Sequence, residues 1–144
     1  IKNYAKKFSK EKKIRLVSIM SDESESDDTT YADEVLYGKT PEEFINLIRN
    51  AEYILTDSFH GSIFSINFNK NFYSFVKHTG LRAMDNMRIF DILERMDLID
   101  RFISEYNDGI IDYQPIDYSH TNELLTVERK VSKEYLMTIL NSVK

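Results

Sequence analysis

The sequence predicts an α/β domain built in three layers around a mostly parallel sheet. Two patterns predict it. Short, apolar, β-branched runs alternate with segments whose apolar residues recur at helical spacing, and the connections between them are short. Size agrees, because 144 residues and 17.0 kDa suit one compact domain over 1–144 and leave little room for two.

Ile14-Arg15-Leu16-Val17-Ser18-Ile19-Met20 reads as a buried parallel strand. Thr40-Pro41-Glu42-Glu43 is a helix start, with a capping hydroxyl, a proline suited to the first position and a glutamate that closes a capping box. Phe44, Leu47, Ile48 and Ala51 follow at i, i+3, i+4 and i+7, so one face of that helix is buried. Tyr53-Ile54-Leu55-Thr56 forms the next strand after a tight connection typical of βα units.

After Asp57–Ser62, the stretch 63–68 is ambiguous between strand and helix by periodicity; Phe59, Ile63 and Ile66 favour a helix, and a strand on both sides makes helix the more economical reading. Asn69-Lys70-Asn71 is a turn, and 72–76 is a strand. A loop over 77–87 leads to a helix carrying Ile89, Ile92, Leu93 and Met96, with Arg88 in its first turn after Asn86. A last amphipathic helix turns Leu124, Val127, Val131, Tyr135, Leu136, Ile139 and Val143 toward a core. Strands 14–20, 53–56 and 72–76 are expected side by side and parallel, which makes this a Rossmann-like half.

Charge is uneven. Residues 1–15 hold seven bases and one acid, and 21–36 hold seven acids and no base. The basic opening could bind phosphate or lipid, but charge runs are more often solvated helix or linker. The acidic stretch 21–36 has too little apolar surface to order itself and reads as a mobile loop. It lacks the glycine and the spaced terminal glutamate of a calcium loop.

Composition excludes several classes. There is no cysteine, hence no disulfide scaffold, cysteine nucleophile or thiolate metal site. The three histidines are far apart, so no metal site is expected, and His78 and His120 have no acidic or hydroxyl neighbours at useful spacing. A net charge of −5 disfavours nucleic acid as a partner. No apolar run approaches the roughly 20 residues of a membrane-spanning helix. The chain starts at Ile1 without a signal-peptide pattern and reads as a cytoplasmic piece of something longer. Walker-type, Gly-x-Gly-x-x-Gly and Gly-x-Ser-x-Gly segments are missing.

Ligands of open parallel sheets bind at the carboxyl ends of the strands. Strand 53–56 runs directly into Asp57-Ser58-Phe59-His60-Gly61-Ser62 at the expected start of a helix, where free N–H groups and a partial positive charge attract anions. In the functional reading, Gly61 lets an anion approach the backbone, Ser58 and Ser62 donate hydroxyls, and His60 supplies a group that titrates near neutral pH. In the structural reading, Asp57 or Ser58 caps the helix, Gly61 serves packing and His60 is an ordinary structural histidine. Arg88 is either an anion clamp or a surface helix residue.

Thr40-Pro41-Glu42-Glu43-Phe44, Ile48-Arg49-Asn50-Ala51 and above all Thr56-Asp57-Ser58-Phe59-His60-Gly61 closely resemble the polysaccharide pyruvyl transferase family. The resemblance continues through Phe64-Ser65-Ile66, Phe68-Asn69-Lys70, Phe72 and Tyr73, and resumes at Asn86-Met87-Arg88-Ile89, Asp91-Ile92-Leu93 and Leu98-Ile99-Asp100-Arg101. It implies the C-terminal half of a GT-B-like, two-domain transferase, whose missing N-terminal domain completes the cleft, so that the fragment alone is inactive. The implied reaction moves a pyruvyl group from phosphoenolpyruvate to sugar hydroxyls of a polysaccharide, glycan or glycolipid acceptor, without a cofactor; a cytoplasmic location is expected, at the inner membrane face if the acceptor is a glycolipid. His60 is then the catalytic residue, and Ser58, Gly61, Ser62, Asn86 and Arg88 bind substrate. The alternatives are the donor half of a GT-B nucleotide-sugar glycosyltransferase, or a non-catalytic module with the same fold.

Overall fold

A computed structural model describes residues 1–20, 29–76, 83–104 and 114–142. The elements, in order, are α1 (Lys2–Lys12), β1 (Val17–Met20), β2 (Glu34–Tyr37), α2 (Pro41–Asn50), β3 (Tyr53–Thr56), α3 (Phe59–Asn67), β4 (Asn71–Phe75), α4 (Ala83–Arg95), a 3-10 turn (Ile99–Arg101), β5 (Phe102–Ile103) and α5 (Ser119–Ser142). All strand pairs are parallel: β1 with β2, and β3–β4–β5 in that order.

The alternation of strand and helix, the parallel pairing of 53–56 with the following strand and the helix between them match the sequence reading. Tyr53 pairs with Asn71 and Thr56 with Ser74, so α3 is a crossover. Successive side chains on a strand point to opposite faces. Ile54 and Phe72 join Ile48, Ile66, Ile89 and Leu93 in the main core, beneath α2, α3 and α4. On the other face, Tyr53 meets Phe8 of α1 (5.3 Å between ring centroids) and Phe75 meets Tyr4 (5.2 Å). Helices on both faces give this sheet three layers.

The start of α2 forms as the residues dictate. Thr40 Oγ1 accepts from Glu43 N–H (3.3 Å), Glu43 Oε2 accepts from Thr40 N–H (2.9 Å), and Pro41 opens the helix. These bonds hold the Glu43 carboxyl below its usual pKa, the Thr40 N–H contributing most and the Lys39 charge next.

Four expectations are corrected. First, 14–20 does not join 53–56. Its strand, β1, pairs with β2, a strand inside the stretch read as a mobile acidic loop. Residues 21–28 lie outside the described ones, but 29–36 are held in place. Leu16 N–H donates to Asp33 Oδ2 (2.7 Å), Asp33 N–H to Leu16 O (2.9 Å), Arg15 pairs with Glu34 (2.7 Å), and Ser18 and Tyr31 share a hydrogen bond. Asp33 and Glu34 are satisfied by the segment that leads into β1, which a count of charges along the chain does not reveal.

Second, the basic opening is a helix with Ala5 and Phe8 buried, so it is more than a solvated face. Third, α4 begins at Ala83, and Arg88 therefore sits in the second turn. The Asp-Asn pair at 85–86 is helical despite its capping tendency, because Ala83 and Met84 before it are good helix formers.

Fourth, α5 forms and Leu124 packs against the core as read, together with Leu125, but the apolar residues beyond them do not reach it. Its first turn is anchored: Thr121 Oγ1 donates to Met96 O (3.1 Å), and just upstream Tyr118 Oη donates to Lys70 O (2.5 Å). Val127, Val131, Tyr135, Leu136, Ile139 and Leu140 are exposed, since no described element lies beneath the distal half of the helix. Val143 lies outside the described residues. Burial at Tyr118 raises its phenol pKa, against a smaller opposing effect of the Arg101 charge. Arg101, itself buried, donates to Tyr73 Oη (3.2 Å) and Gln114 O (2.9 Å) and so ties β4 to the segment that enters α5.

Candidate functional site

The carboxyl end of β3 passes through Asp57 and Ser58 into α3. Ser58 is the N-cap, in extended conformation, and its Oγ accepts from Gly61 N–H (3.4 Å). Its own N–H donates to Thr56 Oγ1 (3.1 Å). A helix that starts this close to its strand leaves no room at the third position. A Cβ on Gly61 would collide with Thr56 Oγ1 and lie 3.1 Å from Thr56 Cβ. The glycine thus serves the close approach of helix to strand, and it is buried.

Ser62 is fully buried. Its Oγ donates to Ser58 O (3.0 Å) and shares a 2.7 Å hydrogen bond with Ser74 Oγ on β4. Ser65 Oγ donates to Gly61 O (2.7 Å). The serines therefore brace the turn from inside, and the Ser62 hydroxyl faces β4 instead of solvent.

His60, the second residue of α3, is exposed, and its ring meets that of Phe59 at 5.8 Å, edge to face. The Arg88 guanidinium stacks over the same Phe59 ring, 3.8 Å from its centroid. Imidazole and guanidinium therefore both contact one aromatic side chain. Such a contact is worth about 0.5–1 kcal/mol at an exposed site. Asn86 is half-buried on α4 two residues before Arg88, and positions i and i+2 do not share a helix face.

The turn stands between two concavities. Ser58, Gly61 and Asp57 line a cleft of about 1430 Å³ that continues along β1 and β2 to Lys39. Phe59 and Arg88 line a groove of about 740 Å³ between α4 and α5. Phe59, Thr56 and Lys39 were not among the site residues read from the sequence. Thr-x-Ser-x-x-Gly spacing was the available signal for Thr56, whereas the role of Phe59 depends on α4 being folded against it.

Among the described residues no group of three or more His, Asp or Glu side chains could hold a metal. His120, read above as lacking acidic neighbours, opens α5 and lies 3.9 Å from Asp97 and 3.7 Å from Glu123. Asp97 is brought there by the tertiary fold. His78 lies outside the described residues. No described helix is long and apolar enough to cross a membrane.

An exposed imidazole thus stands on the first turn of a helix at the carboxyl edge of parallel strands, the edge at which open α/β sheets bind their ligands. The family model described as polysaccharide pyruvyl transferase matches residues 1–78, more than half of the chain, and the chain belongs to that family. The match spans α1 to β4 and includes the whole 56–61 motif, whereas Asn86 and Arg88 fall beyond it. No curated protein and no solved structure matches the chain.

Proposed function

We propose that this domain binds phosphoenolpyruvate and takes part in moving its pyruvyl group onto sugar hydroxyls of a polysaccharide or glycan precursor. The single observation that carries the reading is the family match across the Thr56–Gly61 motif, whose histidine is exposed at a helix N-terminus. In this reading the turn at 58–61 and Arg88 receive the phosphate and carboxylate, and His60 delivers a proton.

The chemistry makes specific demands. A sugar hydroxyl adds across the enol double bond: its oxygen bonds to the carbon bearing the phosphate, and a proton goes to the methylene carbon. A second hydroxyl then displaces phosphate and closes the ketal. Protonated imidazole suits the first step, because it supplies the proton and offsets charge on the phosphate. Arg88, already oriented by Phe59, suits a bidentate contact to either anionic group. A second, GT-B-like half would cover the carboxyl edge.

The test is phosphate release from phosphoenolpyruvate by the two-domain enzyme with a glycan acceptor. His60→Ala should lower kcat about 10²–10⁴-fold and leave donor binding within a few-fold. Arg88→Ala should act mainly on the KM for phosphoenolpyruvate. Wild-type turnover in His60→Ala would remove the histidine from the mechanism.

A further inference from the structure

We propose that Phe59 is a positioning residue of the donor site, whose ring holds the Arg88 guanidinium in the orientation that meets an anion. The role rests on the donor reading above, because Phe59 acts on phosphoenolpyruvate only through Arg88.

The ring is fixed independently of the arginine. Phe59 opens α3 directly after the Ser58 cap, and its half-buried ring packs against the core cluster that contains Ile54, Ile66 and Ile89. Arg88 is exposed, but its neighbour Ile89 is fully buried, so the core anchors α4 at this point as well. Two helices seated in one core thus bring a fixed aromatic face to a flexible cationic side chain, with 3.8 Å from the guanidinium carbon to the ring centroid.

An aromatic face does here what an acid cannot. The negative face of the ring attracts the cation without cancelling its charge. The N–H donors of a guanidinium lie in its plane, so a stacking partner takes up the face and directs the edge toward a carboxylate or phosphate. The acid one turn further along α4, Asp91, is engaged by Arg95, with Oδ2 3.2 Å from Nε. Leucine at 59 would fill much of the same space and offer the cation nothing. Phe59 carries no polar side-chain atom, so any effect on the reaction passes through the groups that its ring touches. These are Arg88 on its face and His60, edge to face at 5.8 Å between centroids. Arg88 is charged at every working pH, and the effect therefore falls on donor binding more than on proton delivery.

The test joins the phosphate-release assay of the two-domain enzyme to side-chain NMR of the full chain, which needs no donor. Protons above an aromatic ring are shielded, so the Arg88 δ-methylene should resonate upfield of an unstacked arginine and return in Phe59→Leu. In the assay, Phe59→Leu should raise the KM for phosphoenolpyruvate about two- to fivefold, the worth of an exposed cation–aromatic contact, with kcat within about twofold. Phe59→Tyr retains the aromatic face and should keep the wild-type KM. Added to Arg88→Ala, Phe59→Leu should have no further effect, whereas a change that merely loosened the fold would lose as much there as in the wild-type background. Should Phe59→Leu not fold, Phe59→Met takes its place, since an unbranched side chain adapts to the gap. Unshifted Arg88 protons in the wild type, a KM unchanged by the deciding variant, or equal losses in both backgrounds would each overturn the role and leave the donor reading standing. A wild type that releases no phosphate from phosphoenolpyruvate would instead remove the donor reading, and this role with it.

Discussion

Gly61 offers a quantitative test of how the candidate site is built. Replacing it with alanine has two opposed effects. Alanine is favoured over glycine inside a helix by about 0.8–1 kcal/mol. Against that, the new methyl meets Thr56, whose Oγ1 occupies the space and whose Cβ is 3.1 Å away. Overpacking of this kind costs about 1–3 kcal/mol. Relief by rotating Thr56 breaks its bond from Ser58 N–H (3.1 Å), about 1 kcal/mol more. The expected net loss is about 1–3 kcal/mol. At a urea m-value of about 2 kcal/mol/M, it lowers the midpoint by roughly 0.5–1.5 M. Thr56→Ala should recover part of that loss in the Gly61→Ala background, giving a favourable coupling of about 0.5–2 kcal/mol in the four-protein cycle. A Gly61→Ala protein as stable as wild type, or more so, would show that propensity outweighs contact and that α3 does not lie this close to β3.

The other expectations are simpler. Ser74→Val strands the buried Ser62 hydroxyl on one side and should cost about 1–3 kcal/mol in urea melts, whereas the exposed His60→Ala should be near neutral for stability. Glu43 has a lowered folded pKa, so its contribution to the start of α2 is complete above the ordinary glutamate range and is lost as pH falls through the lowered value. An NMR titration of the Thr40 amide should therefore report a midpoint below that of an unstructured glutamate, and a midpoint at the ordinary value would count against the capping box. Tyr135 and Leu140 are 66% and 63% exposed, so Tyr135→Ser and Leu140→Ser should each change stability by no more than about 0.5 kcal/mol. A large loss at either would mean that the distal half of α5 is covered.

The sequence by itself determined the local and periodic features. The Thr40–Glu43 start, the crossover helix between two parallel strands and the cap at Ser58 depend on residues within a few positions of one another, and each formed as read. The 56–61 motif is likewise contiguous, which is why the family was visible before any geometry. The tertiary structure decided what depends on distant partners. Glu34–Tyr37 is a strand because Leu16 and Arg15, far back in the chain, satisfy its backbone and its acid. The apolar residues of α5 from Val127 onward are exposed because helical periodicity says which residues share a face, and nothing about what stands opposite. Ser62 changed from a possible ligand donor to a buried brace because Ser74 arrives from the next strand. Arg88 and His60 share Phe59 as a neighbour, an aromatic whose second contact comes from a helix that begins 24 residues later. Short-range hydrogen bonds and packing periods are written along the chain, whereas pairing across it is chosen by whichever partner completes the burial and the hydrogen bonds.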